Sequence, residues 1–483
     1  MTETAFKSAV DLAAMIRRRE IGAEELLDLY FARADMHNQA LNAIIWQDRD
    51  KARETARAAD SRTASSGDLP PLHGVPMTIK ESYDLAGSPT TWGDPEFRNN
   101  IAATDSVPVA RLKAAGVTFF GKTNVPLMLA DWQSYNDIYG VTNNPWDLER
   151  TPGGSSGGSG AALAAGMTGI DAGSDIGSSI RNPAHYCGVF GHKPSWGLCP
   201  PRGHALPGVL SQADISVVGP LARSADDLEI ALDAMAGPDE MDAPGYRLAL
   251  PGPRVPGFGG LRVAVMLDSE PSKIDTVYGD LLQLLVDKIA AAGAVVSDTA
   301  RPEIDMTTLH ENYILLLRAA TSARQPDAVL REHEEAVQRL DPDDPSYYAR
   351  MARGNTMRHR EWLALREQRE HFRWAWHRFF RDWDVLLCPV AASTAFPHDH
   401  EGERYERTIQ VNNRDTPTTD QLFWAGLNGV CHLPGTVAPA GIARDGLPGG
   451  IQIVGPYLGD RTCIHTARLI ERHFGGFQAP PGY

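Results

Sequence analysis

Three side chains stand in contexts from which a nucleophile, a proton relay and a base can be assembled: Ser179, Ser155 and Lys80. The tract TPGGSSGGSG at 151–160 runs into an alanine-rich, helix-like stretch. A short apolar run follows, MTGIDA at 167–172, and then a second glycine-serine turn, GSDIGSSIR at 173–181. Two serine turns bracketing one helix and one strand can bring two hydroxyls together. The segment LHGVPMTIK at 72–80 ends in a lysine that completes the set if its strand reaches them. Neutral serine is a weak nucleophile. It needs a base within hydrogen-bond reach and donors for the oxyanion. If Ser179 opens a helix, the N–H groups of Ile176, Gly177, Ser178 and Ser179 converge on one spot, where free donors and partial positive charge favour an anion. One such donor is worth about 2.7–4 kcal/mol in a transition state.

The base is less obvious. Histidine is the usual choice, but His185, His192 and His204 read as ordinary loop residues. Lysine serves if burial makes it neutral, because desolvation disfavours the ammonium form. Lys80 closes an apolar strand, a suitable place for a buried amine. Ser155 then passes protons between Ser179 and Lys80, each partner lying about 2.6–3.2 Å from the next. The set points to a serine hydrolase acting on amides. Asp175 and Arg181 flank the oxyanion turn and are expected to pair with each other or to pin neighbouring backbone, with substrate contact as the alternative.

The elements that must position these groups follow from patterning. Residues 6–61 read as N-terminal helices, with Val10, Leu12, Ala13 and Ile16 near one face. Ser65 to Pro71 is a turn-rich break. From about residue 75, short apolar strands alternate with helices: strands at 75–80, 117–123, 261–266, 295–298, 383–388 and 450–455, helices at 107–115, 277–292 and 462–474. That alternation predicts an α/β fold with helices on both faces of one large mixed sheet. Residues 70–240 carry the motifs and form the catalytic core. Residues 302–380 are helical, charged and aromatic (Trp362, Phe372, Trp374, Trp376, Phe379, Phe380), an insertion that walls the substrate pocket or simply packs as helices. Loops near Trp132 and Trp424 and the stretch after Ser195 are further candidates for the pocket wall. The aromatic content there hints at an apolar or aryl substrate.

Composition narrows the classes. The 483 residues are 42% apolar and 22% charged, with a net charge of −15. That acidity argues against nucleic acid or an anionic membrane surface as the main partner. No run reaches the roughly 18 apolar residues of a membrane helix. The N-terminus lacks a basic-then-apolar leader layout. Five scattered cysteines without a C-x-x-C suit buried thiols in a reducing compartment, and a cytoplasmic location is expected.

The tract GGSSGGS at 153–159, the turn GSDIGSSIR at 173–181 and the lysine of GVPMTIK at 74–80 together resemble the amidase signature family. The run CGVFGHKPS at 187–195, the late segment GLPGGIQIVG at 446–455 with Asp460, the N-terminal helices and LNA at 41–43 extend that resemblance over nearly the whole chain. It implies a single domain over 1–483 with a central mixed sheet of about eleven strands between helical layers. It implies a serine–cis-serine–lysine arrangement: Ser179 as nucleophile, Ser155 as bridging serine after an unusual cis peptide, and Lys80 as base. The oxyanion donors are then the N–H groups of residues 176–179. No metal or organic cofactor is implied. The implied substrate is a small-molecule amide, with aryl amides and carbamates as variants, and the chain is compatible with a homo-oligomer. Ser178 stands where the family commonly has glycine, and His192 where an apolar residue is common.

Three local patterns are decoys. GVTFFGKT at 116–123 matches the phosphate-loop spelling, but begins after a helix and has a strand-like middle, whereas that loop must follow a strand and open a helix. GGSSG at 153–157 matches the nucleophile-elbow spelling, but a proline-broken polar stretch precedes it where a strand is required. His398 and His400 offer too few ligands for a metal. A flexible linker does not run straight into an alanine-rich helix and a strand. Rival readings that keep the same residues are an esterase, a carbamate (urethane) hydrolase and the amide-processing subunit of a tRNA-dependent amidotransferase. A catalytically dead binding protein is the reading from another class.

Overall fold

The computed structural model describes residues 2–65 and 67–483. Met1 and Ser66, the latter inside the expected 65–71 break, lie outside the described residues. Strand β1 (Ile44–Gln47) pairs antiparallel with β3 (Thr118–Thr123), and β2 (Pro76–Lys80) pairs parallel with β3. Eight further strands are β4 (Asp171–Asp175), β5 (Phe190–Lys193), β6 (Val217–Ala222), β7 (Arg262–Val265), β8 (Val295–Ser297), β9 (Val385–Pro389), β10 (Gly435–Ile442) and β11 (Pro448–Val454). Among the described residues these eight form one mixed sheet in the order β8-β7-β9-β11-β10-β5-β6-β4. The β7 strand pairs parallel with β8 and β9, and every other pairing in this sheet is antiparallel.

The single sheet of about eleven strands expected from the resemblance is therefore present as an eight-stranded and a three-stranded sheet. They meet at one isolated bridge, Met77 to Ile170. Side chains complete the seam: the Thr78 hydroxyl donates to Asp171 Oδ2 at 2.6 Å, the Thr78 N–H to Thr168 Oγ1 at 3.0 Å, and the Tyr83 hydroxyl to the Gly173 carbonyl at 2.5 Å. Backbone pairing stops there because polar side chains take over the donors and acceptors that a ladder would use.

Strand periodicity explains the two-sided burial of the large sheet. Val263, Val265, Val385, Leu387, Ile451 and Ile453 join one apolar core, while the alternating Ala264, Leu386, Cys388 and Val454 join a second. The first core is closed by the N-terminal helices Ala9–Arg17 and Ala23–Leu41 and by Ala225–Met235, Thr276–Ala291 and Asp460–Phe474. Ser8, Ser106, Ser224 and Asp275 start four helices by accepting a first-turn N–H. The phosphate-loop look-alike is strand β3 itself.

Residues 302–380 hold the helices Met306–Thr321, Asp327–Arg339 and Tyr347–Asn355 and most of His359–Asp382. Their aromatics mainly pack: Trp376 is fully buried and Phe379 nearly so in the second core, while Trp374 points out at 59% exposure. Trp424 is likewise a core residue, in the helix Leu422–Gly429.

Candidate active site

Lys80 lies at the end of β2, in a strand whose five residues are all buried. Its amine reaches three hydroxyls: Ser155 Oγ at 2.7 Å, Ser156 Oγ at 2.9 Å and Ser174 Oγ at 3.0 Å. Burial lowers its pKa to about 7, although Asp175 and Asp171 pull the other way. Burial alone does not single it out. Lys122 and Lys193 are also fully buried and lowered, to about 8 and about 7. Their partners differ. Lys122 donates to the Pro89 carbonyl and Thr90 Oγ1, and Lys193 to the carbonyls of Pro194 and Leu433. Of the three, only Lys80 is surrounded by serine hydroxyls.

Ser155 follows a cis Gly154–Ser155 peptide bond. The loop is held by extreme proximity: a Cβ on Gly154 would lie 2.4 Å from the Asp131 carbonyl oxygen, so only glycine fits. The helix Gly157–Ala164 begins immediately afterwards and is buried throughout. Its small residues permit the close approach; a Cβ on Gly158 would lie 2.3 Å from the Asn124 nitrogen.

Strand β4 supplies Ser174 and Asp175, and the turn 176–180 carries Ser179 into the helix Arg181–Cys187. The helix thus opens two residues after Ser179, not at it. Asp175 organises the turn. Its carboxylate accepts the N–H groups of Ser178 at 3.0 Å, Ile180 at 3.1 Å and Arg181 at 3.3 Å, and pairs with the Arg181 guanidinium at 3.0 and 2.7 Å. Both side chains of that pair are fully buried. The guanidinium and these amide donors hold the Asp175 carboxyl below the usual carboxylate range against the opposing effect of burial. Arg181 also reaches the Ala425 carbonyl, Asn428 Oδ1 and Gln452 Oε1. The two residues therefore both pair with each other and pin backbone.

One expected oxyanion donor is corrected. The Ser178 N–H is committed to Asp175, which leaves Ile176, Gly177 and Ser179 as the amides of that turn available to an oxyanion. Ser178 also has φ 75°, in the left-handed region that costs a residue with a Cβ about 1–2 kcal/mol. This is the physical reason for glycine there in the resembled family. The turn is braced from outside by Trp132, whose Nε1 donates to the Gly177 carbonyl at 2.6 Å, and by Tyr313, whose hydroxyl donates to the Ile176 carbonyl at 3.1 Å.

A cavity open to solvent brings the groups together, lined by Ser155, Ser174, Ile176 and Ser179 with Trp92, Leu129, His204, Ser216 and Arg324. Ser179 is 5% exposed at its wall. Among the described residues the Ser155 and Ser179 hydroxyls share this space without a direct hydrogen bond, and the chain link between the two turns is the Ser156 N–H to the Ser179 carbonyl at 3.1 Å. Ser156 and Ser174 lie inside the quoted motifs, but nothing in their spacing assigned them to the lysine. Arg324 had no signal at all; it is one arginine among many in a helical segment. His204 sits on the cavity wall with its Nε2 2.9 Å from Ser82 Oγ, and burial together with the Lys80 amine holds it well below the ordinary histidine range. His185 and His192 are fully buried elsewhere. His185 accepts the Gly450 N–H on Nδ1 at 2.8 Å and meets the Ser393 carbonyl through Nε2 at 3.0 Å. His192 bridges Thr436 and Asp460.

The family model described as Amidase matches residues 25–464 of this chain. The chain belongs to the amidase-signature family. The amidase is similar to the indoleacetamide hydrolase of Bradyrhizobium diazoefficiens, 32% identical over 476 residues that cover 97% of this chain and 86% of that protein. It is also similar to the A-type glutamyl-tRNA(Gln) amidotransferase subunit of Anaeromyxobacter sp. (strain K), 31% identical over 490 residues covering 98% and 97%. Among solved structures, a bacterial aryl acylamidase superimposes with a TM-score of 0.82 over 97% of this chain and 96% of that one, at 23% identity, and so shares the α/β fold. The amidase is an enzyme, a hydrolase of carbon–nitrogen amide bonds. Among its described residues, no helix is long and apolar enough to cross a membrane and no three metal-ligating side chains cluster.

Proposed function

We propose that this amidase hydrolyses a small carboxamide through an acyl-enzyme on Ser179, with Ser155 as proton relay and Lys80 as base. The observation that carries this reading is the buried Lys80 amine, within 3.0 Å of three serine hydroxyls, two of which, those of Ser155 and Ser174, belong to residues lining the cavity that also holds Ser179. Ser179 Oγ attacks the carbonyl carbon while its proton moves through Ser155 to Lys80. Rotation of one hydroxyl when substrate enters closes the last link, since catalytic hydrogen bonds tighten on binding. The tetrahedral oxyanion takes the N–H groups of Ile176, Gly177 and Ser179. The proton returns through Ser155 to the departing nitrogen, and water then cleaves the ester by the same relay. Esters and carbamates pass through the same intermediate. Matched p-nitroanilide, p-nitrophenyl ester and carbamate substrates, aryl and alkyl, order these preferences by kcat/KM.

Covalent capture tests the nucleophile. A fluorophosphonate is expected to add one adduct, located at Ser179 by mass spectrometry; an unlabelled Ser179 removes the proposal. Ser155→Ala is expected to slow acylation by about 10²–10⁴-fold, the usual range for proton-transfer catalysis, while the protein stays folded. Normal turnover in that variant defeats the relay.

The pH dependence has a definite sign. Lys80 accepts a proton only when neutral, and its pKa is about 7. The value of kcat/KM is therefore expected to fall as pH drops below about 7 and to level off above it. A profile flat between about pH 5.5 and 8.5 contradicts Lys80 as the base.

The 31% identity to an amidotransferase subunit over 98% of this chain favours a second reading, in which the chain works beside a partner. Full amide hydrolysis by the purified chain alone discards it.

A further inference from the structure

The cavity carries a charge that the reaction just proposed does not use. Arg324, in the short turn Ser322–Arg324 of the helical insertion, lines the same wall system as Ser155 and Ser179. Its guanidinium lies 4.8 Å from the centre of the Trp92 ring, its one specific contact among the described residues. No carboxylate pairs with it there. Three other buried arginines do have one: Arg181 has Asp175, Arg369 has Asp214, and Arg407 has Asp131. A guanidinium stays charged in any protein environment, and its planar fork matches a carboxylate in two parallel hydrogen bonds.

A second, separate observation points the same way. Trp92 is 2% exposed and lines the cavity, yet its indole Nε1–H has no acceptor among the described residues. The side chain is not loosely placed. Its backbone N–H is fixed to Glu81 Oε2 at 2.9 Å, and the residue holds φ 56°. Buried donors without partners are rare in folded proteins and call for an explanation. One guanidinium at the wall, with no acidic side chain among the lining residues, describes a site short of negative charge.

We infer that this amidase selects small amides bearing a carboxylate a few bonds from the scissile carbonyl, held by the Arg324 guanidinium with the Trp92 indole N–H beside it. The inference rests on the reading of Ser179 as nucleophile in the same cavity. The carboxylate can belong to either half of the amide, and the test separates the two.

Two shape-matched pairs serve as substrates. Succinamate against 4-methylpentanamide places the charge on the acyl half. N-acetylglycinate against N-isobutylacetamide places it on the amine half. In each pair an isopropyl group replaces the carboxylate. The wild-type enzyme is expected to favour the anion in at least one pair by tenfold or more in kcat/KM. In Arg324→Gln that ratio is expected to collapse toward one, mainly through KM. Arg324→Lys keeps part of it, and Trp92→Phe, which retains the ring but not the N–H, lowers it. Because each ratio is taken within one preparation, partial misfolding of a variant cancels. Ratios near or below one for both pairs in the wild type, or an unchanged ratio in Arg324→Gln, overturn the inference. Labelling of Ser179 by a fluorophosphonate separates the failures. A labelled enzyme that hydrolyses neutral amides without preference loses only the carboxylate subsite. An enzyme that neither labels nor turns over loses both.

Discussion

Lys80→Met is expected to lower kcat/KM by at least about a thousandfold while the protein remains folded. The size follows from the role: general-base catalysis contributes about 10²–10⁴-fold, and loss of a member of a coupled set exceeds its separate share. The retained fold follows from the burial. The Lys80 amine is fully buried, and its hydrogen-bond partners are three neutral hydroxyls rather than a carboxylate. Methionine fills nearly the same volume without the cost of burying an ammonium. The lost hydrogen bonds weigh about 1 kcal/mol each, partly recovered as the hydroxyls turn to one another. A lysine present as a structural ion-pair partner would behave in the opposite way, with stability falling and activity following it. Adding Ser155→Ala to Lys80→Met should cost little more, because both interrupt one proton path. Equal kcat/KM in wild type and Lys80→Met, measured on the same amide, ends the base assignment. Ser179→Ala is expected to be silent in both turnover and labelling.

Arg181→Met is expected to lose about 3–5 kcal/mol of stability together with activity. Removing one partner of a buried ion pair leaves the other charge uncompensated, and that residue of charge sets the magnitude. Here the stranded group is Asp175, which also receives three backbone N–H groups of the turn. The same change cuts the links from that turn to Asn428 and Gln452. Denaturant unfolding of Arg181→Met and of Asp175→Leu/Arg181→Met tests the argument. The double variant should be more stable than the single one, since no charge is left buried alone. A single variant with an unshifted midpoint would show that the pair carries no such burden.

The sequence made some of this visible for clear reasons. The spacing of apolar residues located β2, β3, β7, β8, β9 and β11 to within a few residues, because most of these strands are buried on both faces and read as unbroken apolar runs. The glycine-serine tracts exposed Ser155 and Ser179 because close backbone packing leaves little choice of residue: Gly154 and Gly158 have no room for a Cβ. What stayed hidden depends on contacts between distant segments. Strands β5, β6 and β10 are interrupted by glycine, proline, histidine or lysine, and their periodicity is masked. The loss of Ser178 as an oxyanion donor depends on where one carboxylate oxygen of Asp175 points. Arg324 comes from the insertion, and no local pattern separates it from the arginines around it. The aromatics of that insertion suggested an apolar pocket wall, whereas most of them fill a core and the cavity receives a guanidinium instead.

The amine and the hydroxyls it serves are mounted on separate platforms. Lys80 ends a strand of the smaller sheet, Ser174 belongs to the edge strand of the larger one, and the only ladder contact between those sheets is Met77 to Ile170 among the described residues. The 3.0 Å between Lys80 and Ser174 is thus set by how the two sheets seat against each other across their shared core. A slip of about an ångström along that join disconnects acceptor from donor while both halves keep their internal order. Gly169 sits at the join with its would-be Cβ 2.7 Å from the Pro76 carbonyl, so even one added methyl there acts as a wedge.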